Sequence, residues 1–205
     1  MDATTKERVK DLLDITSTSH DTVLDRLVAV VSQRIENFID RPLLSTARTE
    51  EYSIKPRQGM IFLRAYPLAD QSSVGSLKVA TDWDFAAATA VDADSYHADL
   101  DTGQIHMRYY PLENYLGRNA TIAPSVVQVT YTGGFAADTT SLINNYPAIA
   151  YACEEQVVAM WRRRDDPAAG SVSIDQYSRK VEAPLKFLPD VVEALTPYRR
   201  LRFGQ

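Results

Sequence analysis

The stretch VVQVTYTGGFAAD, Val126 to Asp138, marks the point where the residue pattern of this chain changes. Alternating apolar and polar residues before Gly133 predict a strand, and a polar loop follows the glycine pair. Residues 144–164, NNYPAIAYACEEQVVAMWRRR, then predict a long helix over about 146–164, with Asn145 as its cap and Pro147 in its first turn. The glycines permit the backbone turn between strand and helix. The junction contains no pattern typical of a catalytic site.

Two further helices are predicted near the N-terminus. Apolar residues recur at spacings of three and four over residues 21–40, until Arg41-Pro42 ends the pattern. Thr18, followed three residues later by Asp21, approximates a capping box at the start of this helix. Residues 4–15 predict a shorter amphipathic helix that needs a partner surface to be stable.

Residues 47–132 change to a strand-like pattern, in which short β-rich runs are separated by Gly, Pro and Asp. We therefore predict an α+β fold, a small helical bundle with an inserted antiparallel β-sheet and an extended C-terminal tail. Residues 1–169 form a single domain in this interpretation. Residues 170–205, which have little periodicity apart from the short helical pattern PDVVEAL, form a docking segment that lies over its own domain or on another chain.

The composition, 45% hydrophobic and 24% charged residues, is typical of a folded globular protein. The net charge of −5 disfavours tight DNA binding, which depends on Lys and Arg. One cysteine, Cys153, excludes an internal disulfide and indicates a reducing compartment. The N-terminal residues lack the apolar run of a signal peptide, and no segment approaches the roughly 20 apolar residues of a membrane span. We therefore expect a chain made and kept in the cytosol, or in a particle assembled there.

The motifs that suggest chemistry are isolated. Asp101-Thr102-Gly103 matches an aspartic-protease signature, and LGRN at residues 116–119 resembles the second signature of retroviral members. Such an enzyme needs two aspartates brought together, whereas Asp-Thr-Gly between strand-like runs is an ordinary hairpin turn. Cys153 lies on the apolar stripe of its helix, which favours a buried structural thiol. We expect no catalytic, metal or cofactor site; an aspartic-protease-like enzyme and a small soluble binding module remain as alternatives.

The order of motifs resembles that of the head–tail connector proteins of tailed bacteriophages, also called adaptor or head-completion proteins. The resemblance covers about Asp21 to Arg200 and includes the long helix, RAYPLADQSSVGSLKV, YHADLDTGQIHM, VVQVTYTGGF, the proline-initiated helix and LPDVVEALTPYRR. The family motif VTYTAGY is the most specific of these. This chain departs from it with Gly133 in place of Ala and Phe135 in place of Tyr.

The resemblance implies a structural protein of the virion neck that is made in the host cytoplasm. Members form a ring, usually twelve-fold, beneath the portal protein, extend the DNA channel, and present a surface to stopper, tail-terminator or tail proteins. The genome passes without sequence-specific binding, and neither a cofactor nor a membrane is involved. We expect portal docking by Tyr198, Arg199, Arg200, Arg202 and Phe203. We also expect tail-facing or subunit contacts near Tyr96, Thr102, Gln104 and Met107.

Overall fold

The computed structural model describes residues 2–54, 59–81, 83, 85, 88–108, 125–164, 173–174, 177–178 and 186–200. They form five α-helices and nine short strands in an α+β fold, as the sequence predicts. The helices are α1 (Lys6–Leu12), α2 (Asp21–Ile39), α3 (Thr139–Asn145), α4 (Pro147–Arg164) and α5 (Pro189–Leu195). The strands are β1 (Thr46–Ile54), β2 (Met60–Phe62), β3 (Val74–Ala80), β4 (Thr89–Ala90), β5 (Tyr96–Asp99), β6 (Gln104–Met107), β7 (Ser125–Gly133), β8 (Ser173–Ile174) and β9 (Tyr177–Ser178).

The chain divides into two compact units. The helical unit consists of Met1–Leu43 and Asp138–Gln205, and the sheet unit consists of Leu44–Ala137. The sheet unit is therefore inserted between α2 and α3, which is the arrangement that the change of period predicts.

Helix α4 is the centre of the helical unit, since α1, α2, α3 and α5 all pack against it. Ile149, Cys153 and Val157 form its fully buried stripe, and the polar Glu154 and Gln156 are also buried. A helix with neighbours on several sides has apolar or hydrogen-bonded side chains around much of its circumference. The contacting face of α2 is the predicted one, with fully or almost fully buried side chains at Leu24, Val28, Val31, Ile35 and Ile39.

The start of α2 differs from the prediction. His20 is the N-cap, no side chain caps the helix, and Thr18 contributes its backbone carbonyl to the N–H of Asp21. The Asp21 carboxylate instead accepts a hydrogen bond from Lys10 Nζ at 2.8 Å and lies 3.7 Å from Lys6 Nζ. The predicted capping box is wrong because these ion pairs with α1 use the carboxylate that the box requires.

The polar loop predicted after the glycine pair is also wrong, because residues 139–145 form α3. The carboxylate of Asp138 caps this helix by accepting a hydrogen bond from the Ser141 N–H at 2.7 Å. Leu142, fully buried, anchors the helix to the unit. Asn145 consequently ends α3, and α4 begins two residues later at Pro147.

The inserted strands are antiparallel, as predicted, but they form two sheets. The larger has the order β1-β7-β3-β4, and the smaller has the order β2-β6-β5. Strand β7 is central in the larger sheet and pairs with β1 over nine residues, from Thr46 opposite Gly133 to Ile54 opposite Ser125. A single core lies under both sheets and includes Leu63, Leu77, Ile105, Val127, Val129 and Tyr131.

The two glycines at the end of β7 are required by close backbone packing. Gly134 has φ +147°, and a Cβ there would lie 2.6 Å from the carbonyl of Leu44. A Cβ on Gly133 would overlap the Ala65 carbonyl oxygen. The predicted need for glycine at the turn is confirmed at Gly134, where only glycine adopts this backbone conformation readily.

Candidate functional site

The C-terminal residues predicted to dock on another protein lie on the helical unit as far as the structure describes them. The ring of Tyr198 meets that of Tyr146 edge to face at 6.2 Å, and its carbonyl accepts from Arg41 Nη1 at 3.1 Å. The Arg200 N–H donates to the Ile39 carbonyl at 2.8 Å. Arg202 and Phe203 lie outside the described residues. The segment 186–200 therefore packs on its own unit, while its predicted role in docking stays a prediction.

The two arginines that end this segment differ in exposure, since the Arg200 side chain is only 24% exposed. Arg199 is exposed, with its guanidinium 5.5 Å from the centre of the Phe38 ring, and Arg200 Nη1 lies 4.0 Å from Asp40 Oδ2. A guanidinium over an aromatic ring is held in place without losing its charge. The Arg199 guanidinium therefore stays both exposed and charged beside Phe38.

Beside Arg199 lies a shallow groove between α2 and the segment that leads into α5. We call it the cationic groove; it encloses about 500 Å³ and is lined by Arg34, Asn37, Phe38, Lys186, Phe187 and Val192. The Phe38 and Phe187 rings meet edge to face at 5.6 Å, and the Arg34 guanidinium lies 5.0 Å from the centre of the Phe187 ring. No pattern in the sequence predicts this groove, because Lys186 and Phe187 belong to a stretch without periodicity.

The β5–β6 hairpin contains the second set of predicted contact residues. Tyr96 is 3% exposed and belongs to the core of the sheet unit, and Met107 packs partly buried against that core. Thr102 is exposed at the tip, and Gln104 is half-buried. The structure therefore gives Tyr96 a place in the core; whether the tip of the hairpin contacts another protein stays a prediction.

The Asp101-Thr102-Gly103 motif forms the turn of this hairpin, so the turn interpretation is confirmed. The Asp99 carboxylate accepts hydrogen bonds from the N–H groups of Asp101 and Thr102 at 3.1 and 3.2 Å, and Gly103 has φ +66°. Hydrogen bonding from Thr102 holds the pKa of Asp99 below its ordinary value. Residues 116–119 lie outside the described residues.

Glu154 is a buried carboxylate that the sequence analysis did not single out. It is 3% exposed and accepts hydrogen bonds at 2.6 Å from Thr4 Oγ1 and from Arg8 Nε. The hydrogen bond with Glu154 raises the pKa of the Arg8 guanidinium. A buried carboxylate that is paired and hydrogen-bonded in this way is satisfied, so its role is to hold the N-terminal residues on α4.

Cys153 is confirmed as a buried structural thiol. It is fully buried beside Ser32, with 3.7 Å between Sγ and Oγ, and burial raises the pKa of the thiol to about 12. A thiol that stays protonated at neutral pH is a poor nucleophile.

The described ranges contain no group of three or more His, Cys, Asp or Glu side chains placed to hold a metal ion. Within those same ranges, no helix has the length and apolar character needed to cross a bilayer.

Comparison with known proteins gives similarity of fold. No protein-family model matches the chain, and no curated protein matches it. A chain in the neck of the empty gene transfer agent particle, determined with C6 symmetry, has a TM-score of 0.57 at 18% identity; the match covers 98% of this chain and 92% of that one. A chain in the neck of the native particle, determined with C12 symmetry, has a TM-score of 0.57 at 19% identity, covering 97% and 89%. A chain in the virion of the native particle has a TM-score of 0.57 at 17% identity, covering 98% and 92%.

Proposed function

We propose that this protein is a structural component of a virion neck, a head–tail adaptor that forms a ring beneath a portal protein. The observation that carries the proposal is the likeness of nearly the whole chain to chains from necks of gene transfer agent particles. The order of sequence motifs, which resembles that of phage connector proteins, supports it independently. Both helical and sheet units take part in the match, since it covers at least 97% of this chain.

A ring of identical subunits is in keeping with the symmetry of the necks that this chain resembles. The neighbours come from necks determined with C6 and C12 symmetry. A closed ring is built from heterologous contacts, in which one surface of each copy binds a different surface of the next. We propose twelve copies, the number usual in the connector family, and a channel through which DNA passes without sequence-specific contacts. The net charge of −5 supports such a channel, because an acidic wall offers DNA no counterion-release affinity.

We further propose that the C-terminal residues dock on the portal and that the hairpin tip at Thr102 faces the tail side or a neighbouring subunit. Arg199 is the described residue best suited to the first contact, because its guanidinium is exposed and held over Phe38. Arginine contributes to interfaces out of proportion to its area.

The test is electron microscopy of the purified full-length chain, alone and mixed with the portal protein of the same particle. We expect rings that stack on the portal. Arg199→Glu is expected to keep the ring and lose portal binding, whereas Arg26→Glu, at an exposed position of α2, serves as the matched control. A wild-type chain that forms no ring in either mixture would contradict the proposed function.

A further inference from the structure

The cationic groove has the chemistry of a binding site for an acidic, aromatic partner. Two rings, Phe38 and Phe187, form its apolar floor, and Arg34 and Lys186 place two positive charges along it. None of its six lining residues is acidic. A flat aromatic side chain gains stacking contacts on such a floor, and carboxylates beside it meet the cations.

The sheet unit of the same chain carries a segment with the complementary chemistry. Trp83, between β3 and β4, is 55% exposed. Tryptophan is among the residue types most enriched at binding hot spots, so an exposed one is a candidate contact residue. In the sequence it is flanked by Asp82 and Asp84, and Phe85 follows. Phe85 has φ +51°, a left-handed conformation that is uncommon for a bulky residue and is retained mainly at functional positions.

We propose that the cationic groove of one copy binds Trp83 of a second copy, within a stretch whose sequence is acidic and so complements the charge of the groove. The contact is heterologous, because the groove belongs to the helical unit and Trp83 belongs to the sheet unit. Each copy therefore offers one groove and one tryptophan, and repetition of the contact closes into a ring or continues as a filament. The inference deepens the proposed function by naming the surfaces that join adjacent subunits, and it rests on that function for the closed ring.

Three variants separate the two halves of the contact at exposed positions. Trp83→Ala removes the inserted side chain, Lys186→Glu reverses a groove charge, and Asn37→Trp fills the groove without changing its charge. Arg26→Glu reverses an exposed charge of α2 outside the groove and is the matched control. Because these side chains face solvent, we expect all four proteins to fold, which circular dichroism checks.

The measurement is sedimentation velocity of full-length protein over a concentration series. We expect wild type and Arg26→Glu to self-associate beyond a dimer. Each of the other three variants should weaken self-association at least about 30-fold, the factor that corresponds to a hot-spot residue.

Mixing gives the sharper result. Trp83→Ala keeps an intact groove, and Lys186→Glu keeps an intact tryptophan. The tryptophan of the second variant can therefore bind the groove of the first. The other two surfaces, the altered groove and the site without tryptophan, cannot bind a further copy. An equimolar mixture should therefore form dimers that do not grow, at a concentration where the weakened self-association leaves each variant alone monomeric.

The outcomes distinguish this contact from the function on which it rests. If wild type forms rings and Trp83→Ala or Asn37→Trp forms them equally well, the contact is wrong and the ring stands. If wild type self-associates only into open chains that these variants abolish, the contact stands and the closed ring is wrong. Loss of portal binding with unchanged self-association in Asn37→Trp would assign the groove to a different occupant and overturn the inference. A wild type that stays monomeric at every concentration overturns the contact, and the proposed function falls with it only if no ring forms on the portal either.

Discussion

Gly133→Ala tests whether the end of β7 is held by backbone packing. In the connector family alanine is usual at this position, so sequence resemblance alone predicts that the change is harmless. The structure predicts the opposite, because an added Cβ would overlap the carbonyl oxygen of Ala65 and lie 2.9 Å from its carbon.

The expected loss in the free energy of unfolding depends on how firmly residues 65–67, which obstruct the added Cβ, are held. The Ala65 N–H donates to Tyr131 Oη at 2.9 Å, and the Pro67 carbonyl accepts from the Gly134 N–H at 3.0 Å. Residues 65–67 therefore cannot withdraw from β7 without losing hydrogen bonds that tie them to it. Overpacking in a core costs about 1–3 kcal/mol, and we expect the upper end, about 3 kcal/mol, since backbone atoms must move.

Gly75→Ala is the matched control in the same sheet. A Cβ on Gly75 would lie 3.5 Å from the Thr130 carbonyl oxygen, which is an ordinary contact. Without a clash, replacing glycine by alanine stabilises a protein by about 0.4–1 kcal/mol through the unfolded state. The two substitutions are chemically identical, so their difference isolates the packing.

The assay is unfolding in guanidinium chloride followed by circular dichroism. We expect a lower midpoint for Gly133→Ala and an unchanged or higher midpoint for Gly75→Ala. If both variants unfold at the wild-type midpoint or above it, the close approach of Ala65 to Gly133 is wrong.

Further substitutions test the helical unit. Thr4→Val keeps the shape of a 1%-exposed side chain but removes its hydrogen bond to Glu154; we expect a loss of about 1.5–3 kcal/mol in the free energy of unfolding, measured by denaturant titration. Thr5→Val, at the neighbouring and more exposed position, should cost less, and an equal loss in both would argue against the carboxylate contact. Cys153 should not react with a thiol reagent at neutral pH until denaturant is added, since burial raises the pKa of the thiol to about 12; rapid labelling of the native protein would contradict its burial. The Ser141 backbone hydrogen bond lowers the pKa of Asp138 from 3.8, so the charge of this cap stabilises the fold above that pH and the contribution is lost as pH falls through the lower folded value. Asp138→Asn, which keeps an acceptor but does not titrate, should therefore lose less stability on acidification than wild type, and acid titrations with parallel slopes would refute the cap.

The sequence predicts the long helices well because their apolar residues follow the helical period without interruption. Leu24, Val28 and Val31 fall on the buried face of α2, and Ile149 and Cys153 fall on that of α4. The inserted antiparallel strands are likewise predictable from alternation and turn residues. These signals are local, and they survive because packing reinforces them.

The features that the sequence misses depend on contacts between distant residues. Helix α3 has few strong helix formers and is stabilised by the Asp138 cap and the burial of Leu142, so the residues of the helix carry little helical signal of their own. The role of Glu154 depends on Thr4 and Arg8, about 150 residues earlier in the chain. The cationic groove similarly brings Arg34 beside Phe187. No pattern along the chain encodes these pairings.

The bridge between Leu44 and Ala136 has a consequence for how such a chain changes in evolution. The Ser45 N–H donates to the Ala136 carbonyl at 2.7 Å, so the first and last residues of the sheet unit lie side by side. Strands of the sheet unit can be lengthened, lost or exchanged without changing the path of the helices, because the distance between the two paired ends of the sheet unit stays the same. The length and sequence of the sheet unit can thus change while the helical unit keeps its fold.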